Sequence, residues 1–370
     1  MQPTAEREAL LLAPYAMRSA DSAGRKYAEP EHPYRSVYQR DRDRILHSSA
    51  FRRLSGKTQV FTGDMGDYHR TRLTHTYEVA SIARTLSRAL RLNEDLAEAL
   101  ALFHDVGHPP FGHAGEAALH ACLRDHGGFS HNQHALTVAE EIEQRYPNFP
   151  GLNLTCEVLD SQVARAERAA DSVPLLEAQI VDAADSITYD AHDTDDAVKL
   201  GLLNIEQLAD IPLIARMVQR VRRRFATIDG SALRKALVHE LIDYQVSDVL
   251  RVNDAALTQG NYSSAAEARQ GGYRVRPSQE LAEEKAELER YLYLAVYRHP
   301  RLLEVRAEAQ QRLRELFDFL VGHPHHLPEF FQERIPGRGL QRAVGDYMAG
   351  MTDRFFRQQY ERLRPGGTGG

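Results

Sequence analysis

Apolar residues recur at helical spacing along most of this chain, and no convincing strand ladder interrupts them. Between residues 71 and 91, Thr76, Val79, Ala80, Ala83, Leu86 and Leu90 share one broad face. Neither Gly nor Pro intervenes, which predicts a long amphipathic helix. Asn93 is placed to cap the next helix, with Glu94 and Asp95 in its first turn. That helix runs from Leu96 to about Phe103, and Gly107 and Pro109 end it. Further helical patterns cover about 132–146, stopped by Pro147 and Pro150, then 174–203, 205–226, 231–258, 280–298, 300–321 and 338–363. The pattern is already helical from Tyr34, through Ile45, Ala50, Phe51 and Leu54. Residues 1–30 are poorly periodic and read as a partly mobile extension. Residues 62–69 and 259–279 read as loops, the second as a linker, and the PGGTGG terminus as a flexible tail. The fold class is all-α, a multi-helix bundle with additional C-terminal helices.

Composition narrows the class. A chain of 370 residues with 42% hydrophobic content can bury a sizeable core. A net charge of −6 argues against bulk electrostatic binding to nucleic acid, while leaving room for a local basic cleft. Two cysteines, Cys122 and Cys156, are too few for a disulfide framework or a zinc ribbon and point to a reducing cytoplasm. The N-terminus lacks the pattern of a secretory signal, and no apolar run is long enough for a membrane span.

Chemistry concentrates in HDVGHPPFGHAGE, His104 to Glu116. Adjacent His104 and Asp105, at the end of a helix, offer an imidazole nitrogen and a carboxylate oxygen to a divalent ion. Glycines and prolines fix the backbone before His113 and Glu116. A metal needs further ligands. His75, near the polar–apolar boundary of the 71–91 helix, is the best third candidate. Asp185, between Ala184 and Ile187, is the best fourth, since a carboxylate facing an apolar packing surface needs a partner. A solvated or capped side chain accounts for either residue alone equally well. Asp185, Tyr189 and Asp193 recur every four residues and line one helical stripe, which suits a pocket but also a plain acidic helix. Glu116, three residues after His113, can orient that imidazole and raise its basicity for proton donation to a phosphoryl leaving oxygen. His131 is either a further donor or a loop histidine. Arg72, three residues before His75, stands where a phosphate clamp would project. The Arg40–Arg53 basic run interleaves Asp41 and Asp43, as internal ion pairs would. Gly56–Lys57–Thr58 mimics the end of a P-loop, but Phe51 occupies the first glycine position and no strand precedes it.

With His75, His104–Asp105 and Asp185 in that order, the chain resembles the HD-domain metal phosphohydrolases. DRDRILHSSAFRRLSGKTQVF, HRTRLTHTYEVA, HDVGHPPFGHAGE and ADSITYDAHD, with YRHP at 297–300, make it similar more narrowly to the dGTPase-like deoxynucleoside triphosphate triphosphohydrolases. The resemblance implies that a dNTP and water become a deoxynucleoside and tripolyphosphate. It implies one divalent metal per site (Mn, Mg, Fe, Co, Ni or Zn) held by His75, His104, Asp105 and Asp185, with His113 and Glu116 as the catalytic pair. Gln59 and Asp193 would contact the sugar 3′-hydroxyl, Tyr189 would pack on the sugar, and Arg72 and His131 would meet phosphate. It further implies an N-terminal extension at 1–33, an HD core at 34–215, a C-terminal helical region at 216–362 and a tail at 363–370. A homo-oligomer, often a hexamer, goes with the family, as does a dNTP or single-stranded DNA effector. Another HD nucleotide hydrolase, a nucleotidase or a phosphodiesterase, is the alternative activity, and a non-catalytic nucleotide- or nucleic-acid-binding regulator the alternative class.

Overall fold

The computed structural model describes residues 3–59, 70–167 and 173–363. The 62–69 loop and the glycine-rich tail expected from the sequence lie outside them. The described residues are helical, with three isolated β-bridges and no longer strand pairing among them. No helix among them is long and apolar enough to cross a membrane. The chain forms two compact units that interleave along the sequence, one from residues 1–21, 78–101 and 173–303, the other from 22–77, 102–172 and 304–370.

The first unit is organised on two long helices, Leu176–Lys199 and Gly230–Gly260, which pack against each other. Ile180, Ala184, Ile187 and Ala191 are buried on one helix, and Leu233, Leu237 and Leu241 on the other. The N-terminal residues are not the loose extension expected. Thr4–Leu11 is a helix, Ala13, Ala16 and Met17 are buried, and the Met17 amide donates to Glu177 Oε1 at 2.9 Å. The 259–279 linker is also built. It holds the short helix Ala265–Gln270, and Asn253 binds it by accepting from the Tyr273 hydroxyl (2.9 Å) and donating to the Arg276 carbonyl (2.7 Å). Side-chain bonds to backbone, not apolar periodicity, order these segments, so the hydrophobic pattern does not register them.

The second unit begins with two capped helices. Ser36 and Gln39 form a capping box on Val37–Leu46, and the Ser48 hydroxyl accepts from Phe51 N–H to start Ser49–Arg53. Part of the basic run turns inward: Arg44 is buried and pairs with Glu29 at 2.7 Å, while Arg52 is exposed. The interleaved aspartates pair with arginines from outside the run as well, buried Asp41 with Arg25 and Asp43 with Arg35 at 2.8 Å. Gly112–Cys122, unpredicted because prolines precede it and Gly115 lies inside it, is a helix. Its Ala118 and Leu119 join Leu313, Leu316, Leu320, Val344, Met348 and Phe356 in one core. The predicted 338–363 helix breaks at Gly350 into Leu340–Ala349 and Asp353–Leu363.

Candidate active site

Two segments of the second unit place the metal donors. Arg72–Ala89 carries His75 in its first turn, and the chain leaving Glu94–Phe103 presents His104 and Asp105. One ligand atom from each of His75, His104 and Asp105 lies within 4.8 Å of the others, and all three residues are buried. Two buried imidazoles and a buried carboxylate are a donor set suited to a first-row divalent ion, whose ligands stand about 2.0–2.2 Å from the metal. The residues therefore fit the group that the sequence implies.

Arg72 supplies the counter-charge. It is 1% exposed, with Nη1 donating to Asp105 Oδ2 at 2.8 Å and Nη2 to the Gln59 carbonyl at 3.3 Å. Burial alone would raise the Asp105 carboxyl, but His104, Arg72 and His108 outweigh it and hold the group well below the usual carboxylate range. His108 is the residue that sequence reading left without a role. It is buried, its Nε2 stands 3.1 Å from Asp105 Oδ1, and its ring stacks on His131 with centroids 3.8 Å apart. Burial, then Arg72 and His131, push its pKa well down, so it is a neutral imidazole. Asp105, His108 and His131 also bring donor atoms within 4.8 Å of one another. The only advance sign of His108 was its place four residues after His104.

Glu116 closes the other end of this run. Its Oε1 accepts from the His131 backbone N–H at 2.9 Å and lies 2.8 Å from His131 Nδ1, while Oε2 lies 3.4 Å from His113 Nδ1. Burial would raise its carboxyl, but hydrogen bonds from His113 and His131 drive it far below its ordinary value. The His113 side chain is 68% exposed and open to a ligand. The structure thus brings together His75, His104 and Asp105, and beside them His131, Glu116 and His113. Gln59 is half-buried nearby, its backbone oxygen on Arg72.

Asp185, Tyr189 and Asp193 belong to the first unit, along Leu176–Lys199, where Asp185 is half-buried. Tyr189 stacks on Tyr297 with centroids 6.2 Å apart, and the Tyr297 hydroxyl donates to Asp193 Oδ2 at 2.6 Å. Burial pushes the Asp193 carboxyl up to about 7 against the pull of the two phenols, and both phenols are raised. This is a polar stripe with two stacked rings, more than a plain acidic face.

An all-helical chain whose paired His104–Asp105 meets a histidine from a neighbouring helix has the architecture of the HD-domain hydrolases. The family model of the HD domain matches residues 72–190, and that of the phosphohydrolase-associated domain matches residues 275–362. A deoxyguanosinetriphosphate triphosphohydrolase-like protein of Bradyrhizobium sp. (strain ORS 278) is 41% identical over 95% of this chain and 96% of its own length. Proteins of the same name from Leptospira interrogans (39% identical, 97% of each chain) and Thiobacillus denitrificans (40% identical, 95% of this chain and 96% of the relative) are similar to the same extent. The chain belongs to the deoxyguanosinetriphosphate triphosphohydrolase-like family and is a hydrolase.

Proposed function

We propose that this protein hydrolyses deoxynucleoside triphosphates to deoxynucleoside and tripolyphosphate and so takes part in control of the dNTP pool. The observation that carries the reading is the juxtaposition of a buried three-donor group, His75, His104 and Asp105, with the His131–Glu116–His113 array. The relatives' name supplies the substrate class.

His75, His104 and Asp105 would hold the metal, with Asp185 as the fourth ligand that the family pattern implies. A divalent ion there supplies Lewis-acid polarisation of the α-phosphate and of the attacking water. Arg72 orients Asp105 and, as the family pattern implies, would meet phosphate. Water oxygen would add to the α-phosphorus as the bond from that phosphorus to the ester O5′ breaks; His113 gives a proton to O5′ as the deoxynucleoside leaves, and the proton that the water sheds on attack replaces it. Glu116 faces His113 Nδ1 and so orients that imidazole, leaving its opposite nitrogen for proton exchange with the substrate. His131, fixed by the same carboxylate, meets phosphate. Gln59 and Asp193 take the 3′-hydroxyl, and Tyr189 packs on the sugar where a 2′-hydroxyl would clash. The core is residues 34–215. A homo-oligomer, manganese as the working metal, a cytoplasmic location and allosteric activation by a dNTP or single-stranded DNA complete the reading.

Incubation with each dNTP, each NTP and a cyclic dinucleotide under Mn²⁺, Mg²⁺, Co²⁺, Ni²⁺, Fe²⁺ and Zn²⁺, with products resolved by chromatography, tests it. Deoxynucleoside with tripolyphosphate is expected. Nucleoside monophosphate with pyrophosphate, or turnover of the cyclic substrate alone, would replace it with another HD nucleotide hydrolase.

A further inference from the structure

Two buried charged side chains, Lys57 and Asp353, have no part in the scheme above, yet both end on the backbone that joins its two halves. Lys57 is 2% exposed. Its Nζ donates to the His108 carbonyl and, at 2.9 Å, to the Ala349 carbonyl. An ammonium buried on two carbonyls, with no carboxylate among the described residues within ion-pair distance, is a costly arrangement. Burial, with Arg53 adding to it, pulls its pKa down to about 7. Nothing in packing alone requires a lysine there.

Asp353 begins the last described helix and is also buried. Its Oδ1 accepts from the Phe111 backbone N–H at 3.0 Å. Its Oδ2 accepts from Thr58 N–H at 3.0 Å and from the Thr58 hydroxyl at 2.6 Å. Phe111 has φ +62° and Gly112 φ +57°, so two consecutive residues are left-handed. A phenylalanine in that region is strained and needs its surroundings to hold it there. It precedes Gly112–Cys122 without any side-chain cap of its own. Gly112 has no latitude either, since a Cβ there would stand 2.8 Å from Arg72 Nη2.

The segment His108–Phe111 is therefore gripped near each end. Lys57 ties its first carbonyl to Ala349, and Asp353 ties its last amide to Thr58. Immediately before the segment come His104 and Asp105, and immediately after it come His113 and Glu116. We infer that Lys57 and Asp353 are positioning residues that fix the distance and angle between the metal donors and the His113–Glu116 pair, using the Ala349–Asp353 turn as the anchor. The catalytic role assigned to His113 and Glu116 rests on the reading above; the grip on His108–Phe111 does not.

The test uses the full chain with Lys57→Met, which keeps the chain length and removes the donor, and Asp353→Asn and Thr58→Val, which loosen the second anchor by degrees. Three quantities are read: bound Mn²⁺ and thermal midpoint, amide hydrogen exchange at residues 106–112, and steady-state kinetics on the best dNTP. Positioning predicts Mn²⁺ binding within threefold of the parent, exchange at Phe111 faster by tenfold or more in Asp353→Asn while the interior of Gly112–Cys122 stays protected, and kcat lower by tenfold or more with KM within threefold. Thr58→Val should fall between parent and Asp353→Asn. A kcat within twofold of the parent in both Lys57→Met and Asp353→Asn overturns the inference. So does a loss that follows the thermal midpoint, with KM, metal binding and exchange throughout the unit moving together, because that is an ordinary structural role. If the parent turns over no dNTP, the function proposed above fails; faster exchange confined to 106–112 then still upholds the grip, and unchanged exchange there overturns it.

Discussion

Glu116 accepts from His131 with one carboxylate oxygen and faces His113 with the other. Glutamine at this position keeps the size and one acceptor but loses the charge that both imidazoles lean on. It stands outside the His75–His104–Asp105 group, so Glu116→Gln should bind Mn²⁺ like the parent while turnover drops by roughly 10²–10⁴-fold, the usual worth of a positioned acid or base. Metal content and kcat measured on one preparation decide it, and an unchanged kcat removes Glu116 from the mechanism. At this scale the sequence was legible wherever donors stood close together along the chain. His104–Asp105 and His113–Glu116 could be read from spacing, and His75 from its place on an amphipathic helix. His108 was visible as a residue but not as a stacked, neutral partner of His131, since stacking depends on how two segments meet. The same limit hid the carbonyl contacts of Lys57, one of which joins residues 292 positions apart.

Between elements, glycine does something other than supply a turn. Gly107 reads in the sequence as a helix stop. In the structure its missing side chain is the contact surface, because a Cβ there would stand 2.0 Å from the His131 carbonyl and 2.5 Å from the Ala135 amide. The turn bearing His104 and Asp105 thus lies directly on His131–Thr137. Backbone cannot yield as a flexible side chain can, so Gly107→Ala should push the two apart, cost about 1–3 kcal/mol by overpacking, and reduce turnover more than tenfold. Thermal unfolding of the metal-free protein with a parallel rate assay checks this; a midpoint and rate equal to the parent's would show that the elements can separate freely. A Cβ on Gly115 would likewise stand 1.9 Å from the Pro110 carbonyl, and neither constraint could be read before the helices were placed. In the first unit the buried Glu177 holds the N-terminal segment through Met17 N–H and the turn at Asn93 N–H. Burial raises its carboxyl to about 7 despite those two bonds. Below its unfolded value of 4.5 both states carry the proton and the group is neutral to stability. Between there and 7 only the folded state keeps it, so stability falls as pH rises, by up to about 3 kcal/mol. Asp193 adds a term of the same sign. Comparing denaturant midpoints of the parent and Glu177→Gln from pH 4 to 8 isolates the first contribution. The parent should lose stability over this window more steeply than the variant, and parallel curves would show that Glu177 ionises normally.

The two units interleave along the sequence, so no single cut through the chain separates off the unit that carries His75, His104 and Asp105. Folding brings His75 to the adjacent His104–Asp105 pair, which an unfolded chain leaves without it. A metal that binds the folded form alone must therefore stabilise it, by about 2.7 kcal/mol at a free concentration one hundred times its Kd. Overall helical class was legible from periodicity because long amphipathic helices make the bulk of both units, but the interleaving was not, since hydrophobic pattern records which face is buried and not against which partner. Consecutive division of the sequence and spatial division of the chain are separate properties. The consequence can be tested without substrate. Protein stripped with a chelator should unfold at a lower temperature than protein given Mn²⁺ or another first-row divalent ion, by a few degrees. Asp105→Ala should show no response to the ion. That variant also leaves the buried Arg72 guanidinium without its carboxylate, so its own midpoint should lie below that of the stripped parent, the removal of one partner from a buried pair costing roughly 3–5 kcal/mol. A parent midpoint indifferent to every divalent ion would mean that His75, His104 and Asp105 form a packed polar cluster and not a metal site, because three buried donors that captured an ion only on folding could not leave stability unchanged.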